Sequence, residues 1–171
     1  MTIAEFDHFA LAKKKELLLK CCGSQSWVNK MITVFPVEDL VELLEAAEEM
    51  WYQCDENDWR EAFDHHPKIG DINSLKDKLA NTAVWVAGEQ LGVNDSNEIT
   101  LQQLAKANND YENKFGFIFI VCATGKSAEQ MLNYLRERLN NTAGEEIEIA
   151  AAEQNKITRL RLEKLFGINE N

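Results

Sequence analysis

A histidine directly before a proline is the first place in this chain where residue types suggest chemistry. His66 precedes Pro67 in a run that also contains Gly70. A proline ring steers the preceding residue out of the helical conformation, so we expect His66 to lie in extended backbone just beyond a helix. An imidazole held in this way can accept or donate a proton near neutral pH.

The sequence leaves other roles open for His66. A single histidine in a loop can be a surface residue or a helix cap. It can also bind zinc, but neither a His-x-x-x-His pair nor a Cys/His cluster surrounds it in the sequence. We therefore expect catalytic or structural use of this side chain and no metal site.

An acid and an amide side by side form the second candidate. Glu89 and Gln90 interrupt the otherwise apolar residues 85–92. If Glu89 is buried, its pKa must rise or a cation must pair with it, because burial disfavours an isolated carboxylate. The alternative is that both side chains lie on the solvated face of a short helix.

An arginine within an apolar stripe is the third candidate. At about 100° per residue, the apolar residues of the last predicted helix share one stripe, namely Ile147, Ala150, Ala151, Ile157, Leu162 and Leu165. Gln154 and Arg161 fall inside it, and an arginine directed at a core is costly without an anion. Arg161 is therefore either half of a structural salt bridge or the anion-binding floor of a pocket, where its planar fork suits a carboxylate or a ureido group.

Helical periodicity dominates the segments that must position these residues. We predict a helix beginning at Pro36, a short one capped by Asp55 or Asn57 that stops at Pro67, and others over 75–79, 82–91, 98–114, 127–140 and 145–166. Residues 117–123 have strand propensity but no partner run, so we expect a buried extended segment there. The chain is then a single all-α domain, residues 1–171, of about eight helices.

The composition argues against several function classes. The net charge of −11 disfavours nucleic-acid and anionic-membrane surfaces, which need clustered basic residues. The longest apolar run, residues 117–123, is far shorter than the roughly 20 residues of a membrane-spanning helix, and the N-terminus shows no secretory signal pattern. Four cysteines without a Cys-x-x-Cys pair indicate reduced, packed thiols in a cytoplasmic protein, namely Cys21, Cys22, Cys54 and Cys122.

A series of short segments gives the chain a family resemblance. In order along the chain they are residues 22–24 with Trp27, 58–70, 89–90, 114–123, 138–141 and 153–162. Together they resemble the 2-oxo-4-hydroxy-4-carboxy-5-ureidoimidazoline (OHCU) decarboxylase family of urate degradation, over nearly the whole chain. The resemblance implies an all-helical homodimer without metal or organic cofactor that releases CO2 from an anionic ureidoimidazoline and forms (S)-allantoin.

The resemblance also implies roles for individual residues. The family's catalytic histidine, glutamate and arginine fall on His66, Glu89 and Arg161. The implied substrate contacts are those of Pro67 and Gln90 together with mainly backbone groups of Phe119, Ile120, Val121, Cys122 and Ala123.

The chain departs from the family pattern at Val86, where many members have a serine. Loss of that hydroxyl puts affinity or substrate preference in doubt more than the reaction class. Two alternatives to the family reaction therefore stay open. One is a related ureido acid as substrate, and the other is a non-catalytic helical homologue that serves as a subunit or scaffold.

Overall fold

The computed structural model describes residues 1–66 and 95–167. Within them the chain forms eight α-helices and no β-strand, which confirms the all-α prediction. The helices are α1 (Ile3–Asp7), α2 (Leu11–Cys22), α3 (Gln25–Val34), α4 (Leu40–Tyr52), α5 (Glu56–Asp64), α6 (Asp95–Phe115), α7 (Ala128–Arg138) and α8 (Ala143–Phe166). Pro67, Val86, Glu89 and Gln90 lie outside the described residues, as do the helices predicted over 75–79 and 82–91.

Side-chain caps set two helix starts where the sequence predicts them. Asp55 caps α5 and accepts the backbone N–H groups of Asn57 and Asp58 at 2.8 and 3.1 Å. Ser127 caps α7 in a reciprocal pair with Gln130, at 3.2 and 2.8 Å. These bonds satisfy N–H groups that have no partner inside the helix.

The start of α4 differs from the prediction. The helix begins at Leu40 and not at Pro36, which follows Phe35 in a cis peptide bond outside the helix. Asp39 is the N-cap, and its side chain accepts the backbone N–H of Glu42 at 2.9 Å. A proline is tolerated in a first helical turn but does not create one, so the carboxylate cap decided where this helix starts.

The described residues divide between two compact units. Unit 1 comprises Met1–His65 with Ala151–Asn171, and unit 2 comprises His66–Ala150. Whether residues 1–171 behave as one domain stays a prediction. Within the described residues, no helix combines the length and the hydropathy that a membrane crossing requires.

Buried tryptophans organise the core of unit 1. The indole N–H groups of Trp27 and Trp51, both buried, donate to the carbonyls of Ala47 and Ala151 at 2.9 Å each. Trp59 donates to the carbonyl of Trp51 at 3.2 Å. Each large ring thus fills the core while its polar atom keeps a partner.

Tyr111 lies at the centre of the aromatic core of unit 2. The rings of Phe115, Phe117 and Phe119 surround it at centroid distances of 4.7, 5.8 and 5.2 Å. Gly116 ends α6 with a φ of 75°, a left-handed conformation that glycine adopts without strain. Residues 118–123 then follow without helix, turn, bend or strand pairing, and the buried extended segment predicted here stays a prediction.

Candidate active site

His66 lies just beyond the end of α5. The helix ends at Asp64, and its C-cap His65 donates its backbone N–H to the carbonyl of Ala62 at 3.3 Å. His66 is half-buried and outside the helix, as the following proline predicts. Its part in proton transfer stays a prediction.

Gly23 lets the end of α5 approach the turn between α2 and α3. Its φ of 92° is left-handed, and it forms the C-cap of α2. A Cβ atom built on Gly23 would lie 2.7 Å from the Cβ of His65 and 3.4 Å from the Cα of Ala62. A side chain at this position would therefore displace the residue that directly precedes His66.

Arg161 binds the C-terminal end of α2 through one nitrogen. Its Nη1 donates to the carbonyls of Lys20 at 3.4 Å and Cys21 at 3.1 Å. These carbonyls lie at the helix end that carries partial negative charge. Among the described residues no carboxylate forms a salt bridge with Arg161, so in this part of the chain its charge is anchored but not neutralised.

Gln154 extends this contact by one more carbonyl. It is fully buried on α8, and its Nε2 donates to the carbonyl of Cys22 at 3.4 Å and to Oγ1 of Thr158 at 3.1 Å. Gln154 and Arg161, seven residues apart on one helix, thus bind three successive carbonyls of α2. Gln154 is buried, as the sequence periodicity predicts, whereas Arg161 is half-buried.

The thiols near this contact are protonated packing groups. Cys21, Cys22 and Cys54 are buried, and all four cysteines of the chain are free. Burial raises the pKa of Cys21 and Cys54 to about 11 and that of Cys22 to about 12. Such thiols are poor nucleophiles at neutral pH. The described residues also contain no group of three His, Cys, Asp or Glu side chains arranged to hold a metal ion.

The predicted backbone contacts fall on a segment whose exposure changes along its length. Phe119 and Ile120 are buried, at 4% and 2% exposure, whereas Val121, Cys122 and Ala123 are half-buried. The Phe119 ring lies in the aromatic core of unit 2. If this segment binds a ligand, the peptide groups after Ile120 are therefore the accessible ones.

A buried ion pair that the sequence analysis did not identify contacts this segment. Arg138, at the end of α7, donates from Nε to Oε1 of Glu146 at 2.7 Å, and from Nη1 to the carbonyl of Ile120 at 2.7 Å. Glu146 also accepts from the hydroxyl of Tyr111, and from Nδ2 of Asn141 at 2.8 Å. The sequence signal for this pair was the position of Arg138, which lies three residues after the buried Leu135 and so continues the apolar stripe of α7.

The hydrogen bonds of this cluster compensate for the burial of its charges. Arg138 is 7% exposed and Glu146 is fully buried. A buried pair is tolerated only when further hydrogen bonds satisfy its remaining donors and acceptors. Burial and the contact with Glu146 hold the pKa of Tyr111 well above its usual range, so its hydroxyl remains a donor to that carboxylate.

The three predicted catalytic residues do not all lie in one described unit. His66 belongs to unit 2, Arg161 to unit 1, and Glu89 lies outside the described residues. A common site for the three stays a prediction.

Comparison with known proteins decides the family. The sequence model of OHCU decarboxylase matches residues 9–163. The chain belongs to the OHCU decarboxylase family. The matched region begins before α2 and ends within α8, so it includes both Arg161 and the segment of residues 117–123.

Two relatives of this chain are longer proteins. The chain is 40% identical over 148 residues to the uric acid degradation bifunctional protein TTL of Arabidopsis thaliana, covering 86% of this chain and 45% of that protein. It is 27% identical over 180 residues to the uric acid degradation bifunctional protein of Bacillus sp. (strain TB-90), covering 100% of this chain and 32% of that protein. The chain thus spans less than half the length of these relatives.

A solved structure resembles most of this chain. It is the crystal structure of an OHCU decarboxylase in the presence of (S)-allantoin, with 39% sequence identity and a TM-score of 0.73. The match covers 90% of this chain and 99% of that one. This OHCU decarboxylase family member therefore shares its fold with a solved OHCU decarboxylase.

Proposed function

We propose that this protein converts OHCU to (S)-allantoin and CO2 in urate degradation, without a metal or organic cofactor. The observation that carries the proposal is the match to 99% of an OHCU decarboxylase crystallised in the presence of (S)-allantoin. Its membership of that family and its 40% identity to a uric acid degradation protein support the same reaction.

The substrate itself can accept the electron pair that CO2 leaves behind. The carbon that bears the carboxylate also bears a hydroxyl, and its neighbour is an imine carbon carrying the ureido group. When the bond to CO2 breaks, its electrons form a double bond to that neighbour, and the imine nitrogen takes up the imine electrons and a proton. The enol then loses its hydroxyl proton and gains one on the ureido-bearing carbon, so the substrate anion consumes one proton overall.

The protein's task is then to bind an anion and move protons at fixed positions. We assign the delivery of a proton to His66 and the removal of the hydroxyl proton to Glu89. Arg161, aided by Gln90, binds the anionic or ureido end of the substrate. The anchoring of Arg161 through Nη1 alone supports this role, because the other guanidinium nitrogens make no hydrogen bond to a described residue.

Further substrate contacts are assigned to the neighbouring backbone. They come from Pro67 and from groups of Phe119, Ile120, Val121, Cys122 and Ala123. The apolar character of this segment would exclude water and so favour release of the carboxylate charge as neutral CO2.

We further propose a single-domain protein that works as a homodimer in the cytoplasm. The free state of its four cysteines supports a reducing compartment. Light scattering should give about twice the chain mass of 19.5 kDa, whereas the mass of one chain would refute the dimer.

Circular dichroism during decay of freshly prepared OHCU tests the reaction. A positioned proton donor makes one enantiomer, while spontaneous decay gives a racemate. We expect a transient optical signal of (S)-allantoin that grows with protein concentration. A signal equal to the protein-free blank would refute the proposal.

Val86 motivates one competing substrate. Without a hydroxyl at this position, a related ureido acid could be preferred. Val86→Ser should improve turnover of OHCU if the missing hydroxyl matters, whereas an unchanged rate would show that the departure is incidental.

A further inference from the structure

The segment of residues 117–123, which has no regular secondary structure, needs something other than a neighbouring strand to hold it. Within the described residues no strand pairs with it, although buried backbone groups require hydrogen-bond partners. Two cations supply them. Nη1 of Arg138 donates to the carbonyl of Ile120 at 2.7 Å, and Nζ of Lys126 donates to the carbonyl of Cys122 at 2.8 Å.

Each of these bonds also orients an amide on the opposite side of the backbone. A peptide group is planar and trans, so a carbonyl and the following N–H point in opposite directions. The bond to Ile120 therefore directs the N–H of Val121, and the bond to Cys122 directs the N–H of Ala123. These two N–H groups belong to residues two positions apart in the segment.

The N–H groups of Val121 and Ala123 are suited to donate hydrogen bonds to an anion. Val121 and Ala123 are half-buried, and within the described residues neither N–H donates to another group. A cation bound to a carbonyl polarises its peptide group and strengthens the N–H as a donor. Arg138 does not compete for the anion, because its charge is already paired with the buried Glu146 at 2.5 Å.

We infer that Arg138 and Lys126 are positioning residues that hold the N–H groups of Val121 and Ala123 as donors for the substrate carboxylate. The inference rests on the proposed function and deepens it. Arg138 is fixed further by stacking its guanidinium over the Phe119 ring at 4.6 Å. The cluster around Glu146 thus acts on the substrate only through the backbone that it orients.

The test compares three variants in the full chain. Arg138→Lys keeps the charge beside Glu146, but a single ammonium group cannot reproduce the fork that reaches both Glu146 and the carbonyl of Ile120. Lys126→Met removes the bond to the carbonyl of Cys122. Lys114→Met is the matched control, since it also removes lysine bonds to backbone carbonyls, those of Leu139 and Asn141, and leaves the bond from Arg138 to Ile120 in place.

Two readouts separate positioning from general stability. We expect KM for OHCU to rise about tenfold in Arg138→Lys and in Lys126→Met, with kcat changed less than KM. In the parent protein, (S)-allantoin should slow hydrogen exchange at Val121 and Ala123, and this protection should be lost in Arg138→Lys and Lys126→Met respectively. Lys114→Met should leave KM and the protection at both amides near those of the parent.

The outcomes are distinct. If the parent protein is active but KM and the exchange protection are unchanged in both Arg138→Lys and Lys126→Met, the positioning role alone is overturned. A parent protein that gives no optical signal above the blank overturns the proposed function and the positioning role together. If Arg138→Lys fails to fold, Lys126→Met is compared with Lys114→Met, and an unchanged KM in Lys126→Met overturns the inference.

Discussion

Nη1 of Arg161 donates to the carbonyl of Cys21 at 3.1 Å and so joins α8 to the C-terminal end of α2. This contact fixes a guanidinium group without neutralising it, since a backbone carbonyl carries only a partial charge. A cation held in this way is already oriented before an anion arrives, which lowers the entropic cost of binding.

Arg161→Ala should reduce kcat/KM for OHCU by at least about tenfold, because a hydrogen bond between charged groups is lost. Arg159→Ala is the matched control on the same helix. Arg159 is exposed and pairs with Glu163 at 3.1 Å, so its removal should leave the kinetics unchanged. Equal activity of the two variants would contradict the anion-binding role of Arg161.

His66→Ala should lower turnover by roughly 10²-fold or more, the usual loss when a positioned proton-transfer group is removed. The protein should stay folded, as judged by far-UV circular dichroism. His8→Ala, at an exposed histidine of α1's C-cap, is the control and should turn over normally. Near-parental production of (S)-allantoin by His66→Ala would remove this imidazole from the mechanism.

Gly23→Ala should destabilise the protein more than Gly125→Ala. Both glycines have a left-handed φ, 92° and 76°, which costs an L residue about 1–2 kcal/mol. Only at Gly23 would the new Cβ also meet another side chain, at 2.7 Å from His65, whereas nothing lies within 4 Å at Gly125. Urea unfolding of the two variants gives the difference, and equal losses would show that the contact with His65 is easily relieved.

The buried thiols predict a loss of stability at alkaline pH. Burial raises the pKa of Cys22 to about 12 and that of Cys21 to about 11, whereas a thiol in the unfolded chain ionises near ~8.5. The folded chain therefore keeps protons that the unfolded chain releases. This contribution is complete below about pH 8.5, and the free energy of unfolding should fall above it by up to about 1.4 kcal/mol per pH unit for each thiol.

Urea titrations between pH 7 and 10 measure this slope. Cys22→Ala should make it shallower, while Cys122→Ala, at a half-buried cysteine, should not. A slope that is the same in the parent and in Cys22→Ala would contradict the assignment to the buried thiol.

Local interactions made much of the fold predictable from the sequence. The caps at Asp55 and Ser127 and the stop at Gly116 depend on residues a few positions apart, so their signals are present in the sequence itself. The helical period likewise predicted the burial of Gln154, while Arg161 on the same stripe is half-buried. The family segments further determined which residues to propose as catalytic, and for His66, Glu89 and Arg161 those roles remain proposals.

Only the tertiary structure decided which groups these side chains meet. The carbonyl that Gln154 binds is 132 residues away, and the carbonyl that Arg138 binds is 18 residues away on a segment without regular structure. The sequence left Arg161 with either a carboxylate or a ligand as partner, and the structure added the carbonyls of a helix end that hold one nitrogen of its guanidinium. Hydrophobic periodicity reports that a side chain is buried, but a hydrogen-bond partner depends on how separate elements pack, and that information is not contained in local spacing.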